Sequence, residues 1–301
     1  MERLLQKSGY EVTTVDNGQE AAQILSKASG PRMALIDWMM PGLDGPGVCR
    51  AVRERHDESY VYMVLLTSKQ SSGDAVQGLE AGADDYLTKP CHPAELRARL
   101  HTGRRILQLE DKLVDAREKM RFKATHDSLT LLWDRGGILS LLQSELGRAS
   151  RDHSPVSLLL CDVDHFKRVN DTYGHQVGDE VLQEVSKRLQ DAVRSHDAVG
   201  RYGGEEFLIV MGATGAMELQ ERAEQIRSAV SCLPFLTAYG MLTVSISIGA
   251  ITIEDWNKSV PVEPILKRVD DALYRAKAAG RDRVMYTAAP AVLYRTVVGS
   301  H

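Results

Sequence analysis

Two adjacent carboxylates, Glu205 and Glu206, follow a pair of glycines inside the run Arg201-Tyr-Gly-Gly-Glu-Glu-Phe207. A third, Asp162, ends the apolar run Val156-Ser-Leu-Leu-Leu-Cys161 about forty residues earlier. Glycines with access to positive φ make a tight turn, and Phe207-Leu-Ile-Val210 then reads as a strand returning from it. Pairing of that hairpin with strand 156–161 gathers the three carboxylates at one sheet edge. Clustered carboxylates repel unless a cation compensates them, and hard oxygen ligands suit magnesium carrying a nucleotide's phosphates. Positive charge is available from Lys277 and Arg281, four apart near the end of a helix that Gly280 closes. That spacing serves either the helix dipole or a phosphate.

A second constellation lies near the N-terminus. Asp37 follows the apolar strand 33–36, Thr67 follows strand 62–66, and Lys89 follows a strand around Asp85-Tyr-Leu87. The carboxyl ends of parallel strands are where open α/β sheets place their sites. A carboxylate, a hydroxyl and an ammonium there suit transfer of a phosphoryl group onto Asp37, with Thr67 and Lys89 meeting its oxygens.

The elements that must position these groups alternate along the chain. Strands over 9–15, 33–36 and 62–66 interleave with helices over 17–28, 45–55 and 72–81. From Pro93 to about Phe122 the pattern is helical, and Ile106, Leu109, Leu113, Ala116 and Met120 form one narrow apolar stripe. The stripe suits a coiled coil between two chains, or one amphipathic helix lying on its own domain, and Gly103 weakens any continuous stalk. A second unit follows, with helices over 135–150, 177–194, 215–231 and 263–279, strands over 156–161 and 242–248, and the glycine hairpin between them. The hairpin makes its sheet mixed. Residues from Ala289 onward carry no clear element.

Composition narrows the classes. With 301 residues, 43% of them hydrophobic, the chain has material for two cored domains. A formal charge of -4 gives no basic field for nucleic acid or an anionic membrane. Cys49, Cys91, Cys161 and Cys232 are dispersed, without a CxxC pair, and read as packing residues in a reducing compartment. No apolar run approaches the roughly 18–20 residues of a membrane span, and the start lacks a secretion core, so the expected location is the cytoplasm.

The runs Asp37-Trp-Met-Met-Pro-Gly-Leu-Asp-Gly45, Leu66-Thr-Ser68 and Asp85-Tyr-Leu-Thr-Lys-Pro90 together resemble the receiver domain of two-component response regulators over residues 1–100. The resemblance implies a flavodoxin-like fold, Asp37 as phospho-acceptor, Thr67 and Tyr86 as a switch pair, a cis Lys89–Pro90 peptide, and a cognate sensor histidine kinase as partner. Receivers begin with a strand ending in an acidic pair, and none precedes Met1. The domain therefore reads as N-terminally incomplete, a fragment or a chain whose start lies further upstream.

Residues 126–288 resemble the GGDEF family of diguanylate cyclases, with an α/β nucleotidyl-cyclase fold and a helical linker at 101–125 before it. The entry Thr125-His-Asp-Ser-Leu-Thr130 belongs to the match, though Leu131 and Asp134 stand where the family commonly has Gly and Asn. The resemblance implies condensation of two GTP into cyclic di-GMP, on magnesium or manganese held by Asp162, the Val163 carbonyl and Glu205, with Glu206 close by. It makes Glu205 also a candidate base for the ribose 3′-hydroxyl. Phe166 and Lys167 would meet terminal phosphates, and Asn170 and Asp179 would read guanine. Guanine offers a carboxylate a pair of donors that adenine lacks, which disfavours adenine-containing products. A homodimer is implied, since each domain holds one GTP. Arg194-Ser-His-Asp197 resembles the family's product-binding inhibitory site, with Arg222 or Arg227 as a second arginine; by spacing alone it is equally a local ion pair. The alternative to turnover is a GGDEF domain that binds GTP or cyclic di-GMP as a receptor. A DNA-binding response regulator would need a basic recognition helix, and none is apparent.

Overall fold

Two strands are buried along their whole length, and each anchors a unit of its own. The computed structural model describes residues 1–55, 60–68, 72–256 and 261–287. The chain divides into two compact units, one up to Lys119 and one from Met120 onward.

The first unit runs α1 Glu2–Lys7, α2 Gly18–Leu25, β1 Met33–Asp37, α3 Gly45–Arg53, β2 Tyr62–Thr67, α4 Ser72–Glu80, β3 Asp85–Thr88 and α5 Pro93–Thr125, the last continuing into the second unit. Its sheet is parallel in the order β1-β2-β3. All of β2 is buried: Met63 and Leu65 face Ile36, Val48 and Val52, while Tyr62, Val64 and Leu66 face Leu87, Leu96 and Leu100. A central strand covered on both faces reads as an unbroken apolar run for this reason. The expected strand at 9–15 is absent, and Tyr10–Val15 is irregular. A strand exists only as a member of a ladder, and no described strand borders the free edge of β1 to pair with it. Along that edge Met33, Ala34 and Leu35 are only half-buried. Gly103, expected to weaken the helix, is instead where α5 meets β2: a Cβ there would lie 2.3 Å from the Tyr62 ring.

The second unit runs α6 Arg135–Asp152, β4 Val156–Val163, α7 Phe166–Tyr173, α8 His175–Ala192, β5 Ala198–Gly203, β6 Glu206–Gly212, α9 Ala216–Ser231, β7 Phe235–Thr237, β8 Gly240–Leu242, β9 Ile246–Ile253, α10 Val262–Ala278 and β10 Val284–Thr287. The sheet order is β10-β9-β4-β6-β5, with β4 antiparallel to both neighbours and β9 parallel to β10, a mixed sheet as anticipated. Leu159, Cys161 and Val163 of β4 pack under α8 and α9, and Val156, Leu158 and Leu160 under α6 and α10.

The strand expected at 242–248 begins later, at Ile246, because the ladder with β4 ends at Val163 and Thr243–Ser245 run past it. The short polar helix α7 gives too little apolar periodicity to be read in advance. Cys49 and Cys161 are buried packing residues, and burial pushes the Cys49 thiol up to about 11. Cys232 is exposed, so packing does not account for it. The tail from Ala289 lies outside the described residues.

At the entry to this unit Asp134 caps α6, accepting from Gly137 N at 2.7 Å, as an asparagine would. Leu131 sits at φ 59 and is 60% exposed. A left-handed leucine costs about 1–2 kcal/mol, and its side chain recovers little burial here. Leu131→Gly should therefore stabilise the unit by about 0.5–1 kcal/mol once the looser unfolded chain is counted. Urea unfolding of both proteins measures this, and a less stable variant contradicts the strain.

Candidate active site

The acidic groups converge through the register of one strand. Asp162 stands opposite Glu206 on β6 and opposite Ser247 on β9. The β4–β6 ladder continues past the strand ends, with Val163 N donating to the Glu205 carbonyl at 3.2 Å. Asp162, Val163, Glu205 and Glu206 therefore share one end of the sheet. From α10, Lys277 Nζ reaches Asp162 Oδ2 at 2.6 Å.

The electrostatics follow from burial and crowding. Burial raises the Asp162 pKa, Glu205 and Asp164 push it further up, and Lys277 opposes them. Burial also raises Glu206, with Asp162, Asp270 and Glu205 adding to the rise and Lys277 counteracting it. Among the described residues no three His, Cys, Asp or Glu side chains form a ready-made metal cage. Two carboxylates and the adjacent Val163 carbonyl are a donor set that fits magnesium, which keeps several positions for water and phosphate oxygens.

Two helices approach the same strand end. α7 starts directly after it, and the N–H groups of Phe166 and Lys167, in the first turn, have no intrahelical acceptor, an arrangement that favours anions. Phe166 is buried and Lys167 exposed. Asn170, later on α7, has its Oδ1 buried without a hydrogen-bond partner, and a Cβ on Gly178 of α8 would sit 2.0 Å from that oxygen. The next residue, Asp179, is exposed. An unpaired buried amide oxygen beside an accessible carboxylate fits a ligand with clustered N–H donors.

Three residues not assigned from the sequence also shape the site. Arg201 donates through Nε to the Gly204 carbonyl at 2.9 Å and through NH1 to both Asp127 oxygens at 3.1 and 3.2 Å. Although burial pushes Asp127 up, its bonds from Thr130 and Arg201 outweigh this and hold it below the ordinary value. Asp164 is buried beside Asp162 and accepts from Ser245 and Ser247. Both aspartates lie within the quoted motifs, but only their partners, distant in sequence, mark them out. A groove of about 980 Å³ between α6 and the start of α10 holds none of these residues.

Elsewhere in the unit, the Asp197 side chain is fully buried and pairs with Arg222 at 3.0 Å, while Arg227 is engaged with Glu224 and Asp282. The Arg194 guanidinium pairs with Glu218 at 2.6 Å, and its backbone N–H donates to Asp197 at 3.0 Å. In the first unit Lys89 pairs with Asp37, the Lys89 N–H donates to the Thr67 carbonyl at 2.7 Å, and Lys89–Pro90 is cis. Thr67 is buried and Tyr86 exposed.

Residues 124–283 match the family model for the diguanylate cyclase GGDEF domain, and residues 1–101 that for the response regulator receiver domain. The response regulator PleD of Caulobacter vibrioides is 37% identical over 278 residues, an alignment covering 91% of this chain and 60% of PleD. This chain thus corresponds to about three fifths of that relative's length. Diguanylate cyclase DosC of Escherichia coli is 41% identical over 168 residues, 56% of this chain and 36% of DosC. Among solved structures, the coiled coil and GGDEF domain of DgcB from Caulobacter crescentus, in complex with c-di-GMP, superposes with a TM-score of 0.57 at 29% identity, covering 64% of this chain and 99% of that one. Diguanylate cyclase SiaD of Pseudomonas aeruginosa, in complex with its activator SiaC, gives 0.54 at 30% identity, over 64% of this chain and 74% of that one.

A carboxyl whose pKa is raised in the fold binds its proton more tightly folded than unfolded. Its contribution is complete below the ordinary carboxylate range and is lost as pH climbs through the raised value. In chelator, Glu206→Gln should therefore raise the melting temperature more at pH 8 than at pH 4, as read by scanning fluorimetry. Equal effects at the two pH values contradict the repulsion.

Proposed function

Since the chain belongs to the GGDEF diguanylate cyclase family and carries a response-regulator receiver domain ahead of that domain, we propose that it condenses two GTP into cyclic di-GMP. The observation that carries this reading is the convergence of Asp162, Glu205, Glu206 and Lys277 at the end of β4, with the two shifted carboxylates both raised.

In each half-reaction the 3′-hydroxyl of one GTP attacks the α-phosphate of the other. An O–P bond forms, the bond to pyrophosphate breaks, and the hydroxyl proton leaves. Two such steps close the ring and release two pyrophosphates. Asp162, the Val163 carbonyl and Glu205 would hold Mg²⁺ or Mn²⁺, which when bound neutralises charge on the phosphates. Glu205 also stands as the base for the 3′-hydroxyl. Glu206 adds negative charge beside the same ligands. Lys277 and Arg281 would bind the phosphates, Lys277 exchanging Asp162 for a phosphate oxygen. Phe166 N–H and the Lys167 ammonium would meet the terminal phosphates at the head of α7. Asn170 and Asp179 would read the guanine edge, the buried Asn170 oxygen taking a donor from the base.

One GTP per domain requires two domains face to face. On α5, Leu109, Leu113 and Met120 are 56%, 69% and 71% exposed, an apolar stripe that a second copy would cover as a coiled coil. Phosphorylation of Asp37 by a sensor histidine kinase would act on the Asp37–Lys89 pair, with Thr67 and Tyr86 as the responding residues. No described helix is long and apolar enough to cross a membrane. A cytoplasmic location is the reading that fits GTP as substrate.

Purified protein with GTP and magnesium should form cyclic di-GMP, with specific activity that falls on dilution as the dimer dissociates. Glu205→Gln should lower turnover by about a hundredfold or more while leaving the protein folded, as circular dichroism shows. Wild-type protein that binds GTP without making product would show a nucleotide receptor instead.

Arg194, Asp197 and Arg222 together form the proposed inhibitory site for the product. Arg222 takes the second-arginine role because it reaches Asp197, whereas Arg227 is held by Glu224 and Asp282. Arg194→Ala should raise the concentration of cyclic di-GMP needed for half-inhibition by about tenfold. An unchanged inhibition curve would reduce Arg194–Asp197 to a local structural contact.

A further inference from the structure

Asp164 is a buried carboxylate held by three hydrogen bonds at the site, and none of the roles above uses it. Its side chain is 1% exposed. Oδ1 accepts from Ser247 Oγ at 2.7 Å, and Oδ2 accepts from Ser245 Oγ at 2.7 Å and from the Asp282 N–H at 3.1 Å. Its own N–H donates to the Ser245 carbonyl at 2.9 Å. These partners come from β9 and the residue before it, and from the turn between α10 and β10. A carboxylate offers about four acceptor sites. Three are filled by these donors, and Arg281 Nε stands 4.0 Å from Oδ1. Asp164 therefore has little capacity left to ligate a metal, although it is only two residues from Asp162.

The turn it holds is unusual. Gly280, Arg281 and Asp282 lie consecutively at φ 112, 62 and 45. Non-glycine residues in that region are costly and persist only where surrounding contacts impose them. Here the imposing contacts are the Asp282 N–H on Asp164, the Arg281 N–H on the Ala276 carbonyl at 3.1 Å, and the Asp282 carboxylate on Arg227. The outcome is a rigid corner that carries Arg281 at the edge of the acidic cluster.

We propose that Asp164 is a positioning residue for Arg281: by pinning the Gly280–Asp282 turn and facing the guanidinium, it aims Arg281 at the nucleotide's phosphates. The proposal rests on Arg281 as a phosphate ligand, and the test separates the two. Binding of a GTP analogue with a methylene bridge between the α- and β-phosphorus atoms is measured calorimetrically with magnesium, using the full chain as wild type, Asp164→Asn, Arg281→Ala and the double variant.

Each single variant should weaken binding about tenfold, and the double variant should be no weaker than Arg281→Ala alone. Asp164→Asn binding within twofold of wild type, or losses that multiply to about a hundredfold in the double variant, would overturn the positioning role. Wild-type binding by Arg281→Ala would instead remove Arg281 from the phosphate site and the proposal with it. Should Asp164→Asn fail to fold, Ser247→Ala takes its place in the same cycle. A loss that disappears in the Arg281→Ala background supports the proposal, and an equal loss in both backgrounds overturns it.

Discussion

Carboxylates crowded at the end of a buried strand must be compensated, and much of the second unit's design is a response to that requirement. Asp162 and Glu206 face each other across β4 and β6, Glu205 follows the chain into the next rung, and Asp164 lies just beyond. Each charge has a different answer. Lys277 meets Asp162 from α10, two serines and a backbone amide meet Asp164, and burial with mutual repulsion raises the pKa of Glu206. An arrangement that tolerates so much negative charge with one direct lysine contact is suited to a cation that arrives with its substrate.

The apolar layers make that arrangement stiff. β4 is buried along its whole length, with alternate residues committed to α8 and α9 on one face and to α6 and α10 on the other. A slip of one residue would turn Asp162 into the core and an apolar neighbour to the site. Register is therefore set by hydrophobic burial, and the acidic geometry inherits it.

Most of this was legible where local pattern and tertiary role agree. The apolar run of β4, the double glycine and the basic end of α10 each announce themselves, and their pairing follows once the hairpin is laid beside β4. What the sequence conceals is long-range. Asp127 and Asp164 look like ordinary motif aspartates until Arg201, Ser245, Ser247 and Asp282 are seen to meet them. The same limit explains the error at residues 9–15, where alternation suggested a strand but strand formation depends on a neighbour that local pattern cannot supply. Leu131 departs from the family's glycine in the sequence, yet only its left-handed backbone gives that departure an energetic meaning.

The contacts around Asp127 also fix how the turn that carries Glu205 is supported. At the end of α5 the Thr125 carbonyl accepts from Asp134 N at 2.9 Å, Phe122 stacks on His126 with ring centroids 4.0 Å apart, and His126 packs tilted against Trp133 at 4.3 Å. Asp127, the next residue, holds Arg201, and Arg201 holds the Gly204 carbonyl within the turn that presents Glu205. Arg201 N also donates to the Trp133 carbonyl at 2.7 Å, so strand β5 is tied to the same entry segment twice. The turn is thus braced from the helix end as well as from the sheet. Because a glycine pair has little conformational preference of its own, the orientation of Glu205 depends on that bracing more than on the turn's sequence. The end of α5 is consequently part of the support of the candidate site, not merely a connection to it.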